Sequence, residues 1–330
     1  MLIQSTALHF FVDGVCGAAL AALVAKGFAA EEIEKYFMLY TIWAFGTQWF
    51  IGLAIDRYKR LQRCLLWLAF SLLFIGTLGA SDLSLKCFCL GIGNSIFHVL
   101  VGKIILERFA GFKEPGIFVS SGALGLALGL QKIIGVPIML LGLFISCYLI
   151  YSQLTSSAQI NEKAVRFRQV RLENPMLVLL SVLALCICVI FRGFTGTIRL
   201  DDMPLWLPCI YVLGKALGGV CCDKFGYKRM LLALFLLEFI ILQFAGLAPM
   251  LMFVLLCNMT MPLTLRVIYY YLPDYAGFAF GLAAVCLLPA WWFKEYFIPL
   301  PLMIMLQFIL LFVGGYLLFD KLSLVGSSEE

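Results

Sequence analysis

The chain has 330 residues, of which 63% are hydrophobic and only 13% are charged. A soluble globular domain carries about 25% charged residues, so this chain could not hide its apolar surface from water. Its net charge of +5 comes from bases in short loops between apolar runs, which disfavours nucleic-acid binding and is typical of membrane topology signals. The composition therefore predicts an integral membrane protein that contacts the lipid bilayer and has no soluble domain.

Twelve apolar runs of suitable length for membrane helices follow one another along the chain. They cover about residues 5–26, 36–55, 61–80, 84–106, 115–133, 134–152, 175–196, 203–222, 229–246, 248–271, 275–292 and 298–319. One long polar stretch, 153–174, divides them six and six and is predicted to be a cytoplasmic linker. We expect an all-α membrane protein with an N-terminal six-helix bundle over 1–152. A C-terminal six-helix bundle over 175–330 is expected to end in a short cytoplasmic tail.

The alternation of basic residues predicts which side of the membrane each loop faces. If the N-terminus is inside, sixteen Lys and Arg residues lie in cytoplasmic loops and seven lie in outer loops. Both termini are therefore expected in the cytoplasm of a multi-pass protein of the cell membrane.

Cysteine usage gives no sign of a metal site. The twelve cysteines mostly lie inside apolar runs and lack the spacing of metal ligands. No H-E-x-x-H, G-x-S-x-G or ATP-binding motif is present, which disfavours an enzyme and a protein driven by ATP. We predict no cofactor, no metal and no enzymatic activity.

An acid followed by several bases occurs twice between apolar runs, in the stretches 52–60 and 214–229. The two acids, Asp56 and Asp223, are 167 residues apart, and Asn94 and Asn258 repeat at nearly the same interval, 164 residues. A duplication of six helices in one orientation gives two bundles related by an axis along the membrane normal. Secondary transporters with such parallel repeats bind substrate near the bilayer midplane, at the interface of the repeats.

The chemistry of these two loops indicates a gating role. A glycine near a helix end lets a neighbouring helix approach, and a carboxylate can cap a helix N-terminus or pair with a base. The alternative is that the bases only set topology. The predicted gating residues are Gly52, Asp56, Arg57, Arg60, Gly219, Asp223, Lys224, Gly226, Lys228 and Arg229.

The second loop, G-x-x-x-D-K-F-G-x-K-R over 219–229, resembles the signature loop of the major facilitator superfamily. The first copy, G-x-x-x-D-R-Y-K-R over 52–60, lacks the internal glycine and is two residues shorter. The resemblance covers the whole chain. It implies the superfamily's two-bundle fold and rocker-switch alternating access, with these loops helping to latch one state. The complete second copy is the better latch candidate.

Three further motifs resemble the fosmidomycin-resistance branch of this superfamily, a set of proton-driven drug exporters. They are H-F-x-x-D-x-x-x-G-A over 9–18, G-x-G-N-x-x-x-H over 91–98 and S-G-x-L-G-x-A-L-G over 121–129. The resemblance implies a proton-coupled antiporter that moves a drug-like compound out of the cell.

Polar residues inside the apolar runs are candidates for proton coupling or substrate binding. His9 and Asp13 share one helix face, and so do Asn94 and His98, because each pair is four residues apart. An acid in a membrane helix is costly and usually lines a cavity. The alternative is that these side chains are satisfied structurally by other helices. The full candidate set is Asp13, His9, Asn94, His98, Lys215, Asn258 and Arg266.

These observations favour a monomeric secondary transporter that exports a small amphipathic compound in exchange for protons. Lys215 and Arg266 motivate an alternative within the same class, the uptake of a small organic anion. A membrane-embedded enzyme and a non-transporting sensor built on the same fold are the alternatives from other classes.

Overall fold

The structure is a computed structural model that describes residues 1–25, 28–79, 81–156, 174–195, 207–241, 243–244, 246–293 and 300–316. The predicted linker lies outside these residues except at its two ends, and so does the predicted C-terminal tail from residue 317. All regular secondary structure within the described ranges is helical.

Twelve helices correspond, one by one, to the twelve predicted apolar runs. In the first half these are α1 (Leu2–Ala25), α2 (Ala30–Arg57), α3 (Gln62–Gly79), α4 (Leu83–Arg108), α5 (Lys113–Leu130) and α6 (Val136–Ser156). In the second half they are α7 (Pro175–Thr195), α8 (Leu207–Phe225), α9 (Tyr227–Ile241), α10 (Leu247–Tyr271), α11 (Ala276–Val285, then Leu288–Trp292) and α12 (Leu300–Gly315). Among the described helices, α1, α2, α3, α4, α7 and α10 are long and apolar enough to cross a membrane, judged by length and composition.

Local sequence explains where several helices begin or break. Asp82 accepts a hydrogen bond from the backbone N–H of Leu85 at 2.7 Å and so caps the start of α4. Asn174 does the same for α7, where it accepts from the N–H of Met176 at 3.0 Å. Pro289 has no N–H to continue the helical ladder, and α11 breaks just before it.

The chain forms two compact units. Unit 1 comprises Met1–Arg108, Phe118–Ala164 and Asp274–Val285, and unit 2 comprises Phe109–Ile117, Val165–Pro273 and Cys286–Glu330. Each unit therefore includes a short segment from the other half of the sequence. Unit 1 contains the first segment of α11, and unit 2 contains the start of α5.

One helix in each unit is buried on nearly every side. In unit 1 this helix is α4, in which 94% of the most apolar stretch is buried. In unit 2 it is α10, in which 78% of the corresponding stretch is buried. A helix that is apolar all round belongs in the interior of a bundle. Because α4 carries Asn94 and α10 carries Asn258, the repeated asparagines are interior residues, at 1% and 4% exposure.

Small residues let α1 and α5 approach closely inside unit 1. A side chain on Gly125 would overlap the backbone carbonyl of Phe10, and one on Gly129 would overlap that of Gly14. Such contacts between small residues are a common way to pack membrane helices. This packing brings the α5 residues Phe118 and Gly122 against His9 of α1.

Candidate functional site

The two histidines of the chain meet inside unit 1. His9 lies on α1 and His98 lies on α4, 89 residues later, and their Nε2 atoms are 2.8 Å apart. The planes of the two rings are perpendicular, and their centroids lie 4.5 Å apart. His9 is 2% exposed and His98 is 8% exposed, which places the contact away from bulk water.

The other nitrogen of each ring identifies the tautomer. His9 Nδ1 lies 2.7 Å from the carbonyl oxygen of Phe118, and His98 Nδ1 lies 2.9 Å from that of Asn94. A carbonyl oxygen only accepts hydrogen bonds, so both Nδ1 atoms donate and both carry a hydrogen. In a neutral imidazole the second nitrogen then has no hydrogen. Two neutral rings would therefore point two Nε2 lone pairs at each other.

A carboxylate faces the same point. Asp13 Oδ2 lies 3.3 Å from His9 Nε2, and Asp13 Oδ1 lies 3.6 Å from His98 Nε2. The amide of Asn94 donates to Asp13 Oδ1 at 2.8 Å and orients the carboxylate. The Asp13 side chain is 13% exposed, so its carboxylate can still be reached from outside the cluster. We call His9, Asp13, Asn94 and His98 the histidine–aspartate cluster.

Apolar groups and a glycine enclose the histidine–aspartate cluster. The ring of Phe118 lies 4.3 Å from that of His9, and Phe97 lies 5.5 Å from it, measured between centroids. On α5, a Cβ at Gly122 would lie 2.5 Å from Asp13 Oδ2 and would overlap His9 Nε2. These surroundings exclude water from one side of the cluster and leave no space for a side chain at position 122.

The spacing of the two ring nitrogens suits a hydrogen bond better than a tetrahedral zinc site. One ligand atom from each of His9, Asp13 and His98 falls within 4.8 Å of the others, a grouping that could surround an ion. Two nitrogens bound to a tetrahedral zinc ion at about 2.0–2.1 Å stand about 3.3 Å apart. The observed 2.8 Å between the Nε2 atoms is shorter and suits an N–H···N hydrogen bond.

The remaining candidates for coupling or binding lie in unit 2. Asn258 donates to the carbonyl of Val254 in its own helix, at 2.8 Å. Arg266 is completely buried two turns further along α10, and its guanidinium lies 5.7 Å and 5.9 Å from the ring centroids of Tyr269 and Tyr270. Lys215 is half-buried on α8, which packs against α10.

The first loop aspartate caps the start of α11 within unit 1. Asp56 accepts hydrogen bonds from the backbone N–H groups of Gly277 at 3.0 Å and Phe278 at 2.8 Å. It also pairs with the ammonium group of Lys103, at 2.8 Å, and both side chains are 2% exposed. Lys103 in turn contacts Glu107 at 2.6 Å. The α2 residue Gly52 lies against the backbone of Gly277, where a Cβ would overlap the carbonyl.

The second loop aspartate forms the equivalent contact within unit 2. Asp223 accepts from the backbone N–H groups of Phe112 at 2.8 Å and Lys113 at 2.9 Å, at the start of α5. Gly219 lies against Phe112 as Gly52 lies against Gly277. Gly226 has a φ of +81°, the left-handed conformation that glycine adopts without a steric cost.

The predicted gating bases are on the surface of the protein. Arg57, Arg60, Lys224, Lys228 and Arg229 are all exposed, as expected for residues that contact lipid headgroups or water. Lys224 extends over the ring of Phe225, with Nζ 5.4 Å from its centroid.

Two contributions to these sites are not predicted from the sequence. Lys103 is one of the sixteen bases that the sequence assigns to cytoplasmic loops, but it is 1% exposed and paired with Asp56. Its spacing of four residues from Glu107 was the available signal, because it indicates an ion pair along one helix face. The Phe118 carbonyl that fixes the His9 tautomer gives no sequence signal, since every residue has the same backbone carbonyl.

Comparisons with known proteins identify the fold. No protein-family model matches the chain, and neither does any curated protein sequence. The structure is similar to that of FucP, a major facilitator superfamily transporter in the outward conformation, with a TM-score of 0.60, 13% identity, and coverage of 96% of this chain and 98% of that chain. It is also similar to the proton:xylose symporter XylE bound to 6-bromo-6-deoxy-D-glucose, with a TM-score of 0.56, 15% identity, and coverage of 97% and 96%. The predicted fold class, a twelve-helix membrane fold of the major facilitator superfamily, is confirmed.

Proposed function

We propose that this chain, which has the major facilitator fold, is a secondary active transporter that couples the movement of a small molecule to protons. The observation that carries this proposal is the histidine–aspartate cluster. Its ionisable groups are buried on α1 and α4, Asp13 has limited exposure, and Asn94 orients the carboxylate. Ionisable residues inside membrane helices are typically proton relays or substrate sites.

The loop carboxylates support alternating access. Asp56 joins α2 to the start of α11, and Asp223 joins α8 to the start of α5, so each contact links helices from opposite halves of the sequence. We propose that both contacts are latches at the cytoplasmic face, broken and re-formed in each transport cycle. The orientation with both termini in the cytoplasm of the cell membrane belongs to the same proposal.

For the cargo, we propose export of a small amphipathic compound in exchange for protons. The aromatic content of 15% and the few charges within helices suit a mostly apolar binding cavity with a few polar contacts. The resemblance of residues 9–18, 91–98 and 121–129 to proton-driven drug exporters supports the same direction.

A second candidate is proton-coupled uptake of a small organic molecule, in particular an anion. The complete burial of Arg266 favours it, because a buried guanidinium is a strong binding group for a carboxylate or phosphate. XylE, one of the similar structures, is a proton:xylose symporter, which supports proton-coupled cotransport on this fold.

Reconstituted vesicles distinguish these candidates. The full-length protein is placed in proteoliposomes, and accumulation of amphipathic cationic dyes and of small organic anions is measured under a pH gradient of either sign. An acidic interior drives accumulation by exchange, whereas an acidic exterior drives accumulation by cotransport, and this holds for both orientations of the protein. We expect dye accumulation with an acidic interior.

Asp13→Asn is expected to abolish accumulation driven by the gradient while preserving counterflow exchange of the same compound. Glu32→Gln, which neutralises an exposed acid of α2, is the matched control and should retain both activities. If no gradient drives accumulation of any compound that the protein exchanges, proton coupling is refuted.

A further inference from the structure

We infer that the histidine–aspartate cluster holds one proton shared between His9 Nε2 and His98 Nε2, with Asp13 as its counter-charge. The bound ligand is the proton itself, and its carrier is the histidine pair rather than the carboxylate. The presence of this proton follows from the geometry alone. Its role in driving transport rests on the proposed function.

The hydrogen bonds of the two rings require this proton. Both Nδ1 hydrogens are committed to the carbonyl oxygens of Phe118 and Asn94. The two Nε2 atoms at 2.8 Å then face each other as acceptors, and the Asp13 carboxylate beside them is a third acceptor, whose Oδ1 accepts from Asn94. Adding one proton to either Nε2 turns an opposed pair of lone pairs into an N–H···N hydrogen bond.

Charge balance favours a single proton. With one proton on the rings, the imidazolium and the Asp13 carboxylate sum to zero, which suits a buried site. Without it, an uncompensated carboxylate is left buried. With a second proton, two imidazolium rings meet at 2.8 Å beside only one counter-charge.

The neighbours of Asp13 that the structure describes, other than the histidines, are uncharged residue types. Among the described residues, the titratable neighbours of Asp13 other than the histidines are Cys16 of α1 and Tyr40 of α2. Besides Asn94, already hydrogen-bonded to Asp13, α5 and α11 present Gly122 and the rings of Phe118 and Phe280 to the cluster.

Loss of the proton has a mechanical consequence. His9 belongs to α1 and its Nδ1 donates to the backbone of α5, whereas His98 belongs to α4. Without the proton, the two Nε2 lone pairs and the carboxylate repel one another, so α1 and α4 separate at this point. Protonation draws them together again, which couples proton binding to helix movement.

Nitrogen NMR tests this inference directly, because the chain has only two histidines. Full-length protein labelled with ¹⁵N-histidine is purified in detergent and observed at pH 7. We expect three hydrogens on the four ring nitrogens, two on the Nδ1 atoms and one between the Nε2 atoms. A scalar coupling between the two Nε2 atoms should report the shared proton. A count of two or four hydrogens, or three without that coupling, overturns the inference.

The matched variant is His98→Gln, whose side-chain amide can donate to His9 Nε2 without any added proton. His9 should then carry one hydrogen, on Nδ1 only, and a doubly protonated His9 would assign the proton to the His9–Asp13 pair instead. The wild-type count decides the matter even if this variant does not fold.

Transport is measured on the same purified protein after it has been reconstituted in proteoliposomes. Three hydrogens with no gradient-driven accumulation would refute the proposed function alone. Gradient-driven accumulation with two or four hydrogens would refute the shared proton alone.

Discussion

Asp56 and Asp223 make the same backbone contacts in different electrostatic surroundings. Each accepts two N–H groups at the start of a helix from the other half of the sequence. Asp56 is nearly inaccessible and is neutralised by Lys103 at 2.8 Å. Asp223 is half-buried, and within the described part of the chain no basic side chain forms an ion pair with it.

The neighbours of Asp223 are of mixed charge. Its Oδ2 and the Oε2 of Glu114 both lie beside Gly111, at 2.6 Å and 2.8 Å from the position of a Cβ there. Arg266 provides a longer-range positive charge to both acids. The comparison shows that the completeness of a loop motif does not measure how deeply its carboxylate is buried, since the incomplete copy contains the better-buried aspartate.

The largest expected effect is that of Asp56→Asn. The substitution leaves the buried ammonium group of Lys103 with Glu107 as its remaining acid, and Glu107 is 41% exposed. Breaking a buried ion pair from one side costs about 3–5 kcal/mol, and we expect a loss near the lower value. Unfolding of the purified protein in mixed detergent micelles measures it.

Two controls accompany this variant. Arg57→Gln removes an adjacent exposed charge and should change the free energy of unfolding by less than about 0.5 kcal/mol. Adding Lys103→Met to Asp56→Asn should recover about 1–3 kcal/mol, because no buried charge is then left alone. Strict additivity of the two substitutions would contradict a coupled ion pair.

Asp223→Asn is expected to have an intermediate effect. It removes the charge from a cap that accepts two backbone N–H groups and leaves one acceptor oxygen, without stranding a buried base. The loss should be about 1.5–2 kcal/mol, near the lower value for hydrogen bonds to a charged group. The same unfolding measurement applies. A loss equal to that of Asp56→Asn would show that the motif, and not burial, determines the strength of the contact.

The smallest expected effect is that of Gly226→Ala. No atom lies within 4 Å of a Cβ there, so the cost of about 1 kcal/mol comes only from the positive φ. Gly226→Asn should cost less, because asparagine tolerates this conformation better. Equal stability of the alanine variant and the wild type would mean that the turn relaxes to another conformation.

The same turn explains a difference between the two motif copies. The first loop closes through Tyr58, at φ −115°, and a short 3₁₀ turn over Lys59–Leu61. This turn needs no residue with a positive φ, so the first copy does not require a glycine at the position that Gly226 occupies in the second copy. The shorter sequence of the first copy corresponds to a different turn, with the aspartate in an equivalent position.

The helices could be predicted from the sequence because each lies in an apolar run bounded by charged or turn residues. The exchange of short segments between the halves could not. Residues 274–285 belong to unit 1, where Asp56 accepts the backbone N–H groups at the start of α11. Every helix has such free N–H groups at its start, so the sequence does not show which helix an aspartate will cap. The aspartates that select those N–H groups were visible in the sequence, but their partners were not.

The histidine–aspartate cluster was predictable only in parts. Spacing of four residues put His9 beside Asp13 and Asn94 beside His98. The two pairs meet because α1 packs against α4. The spacing of residues within one helix cannot predict which other helix it contacts. Asn258, the repeat of Asn94, instead bonds to its own helix, so the duplication alone would have predicted a false symmetry.

The two loop aspartates differ in whether their backbone partners are synthesised after or before them. Asp56 precedes Gly277 by 221 residues, whereas Asp223 follows Phe112 by 111 residues. At about 5–20 residues per second, roughly ten to forty-five seconds separate the translation of Asp56 from that of its backbone partners. Lys103 is made only 47 residues after Asp56 and can neutralise it during that interval. The ion pair of the first half therefore lets a nascent bundle enter the bilayer without an uncompensated carboxylate, a need that Asp223 never has.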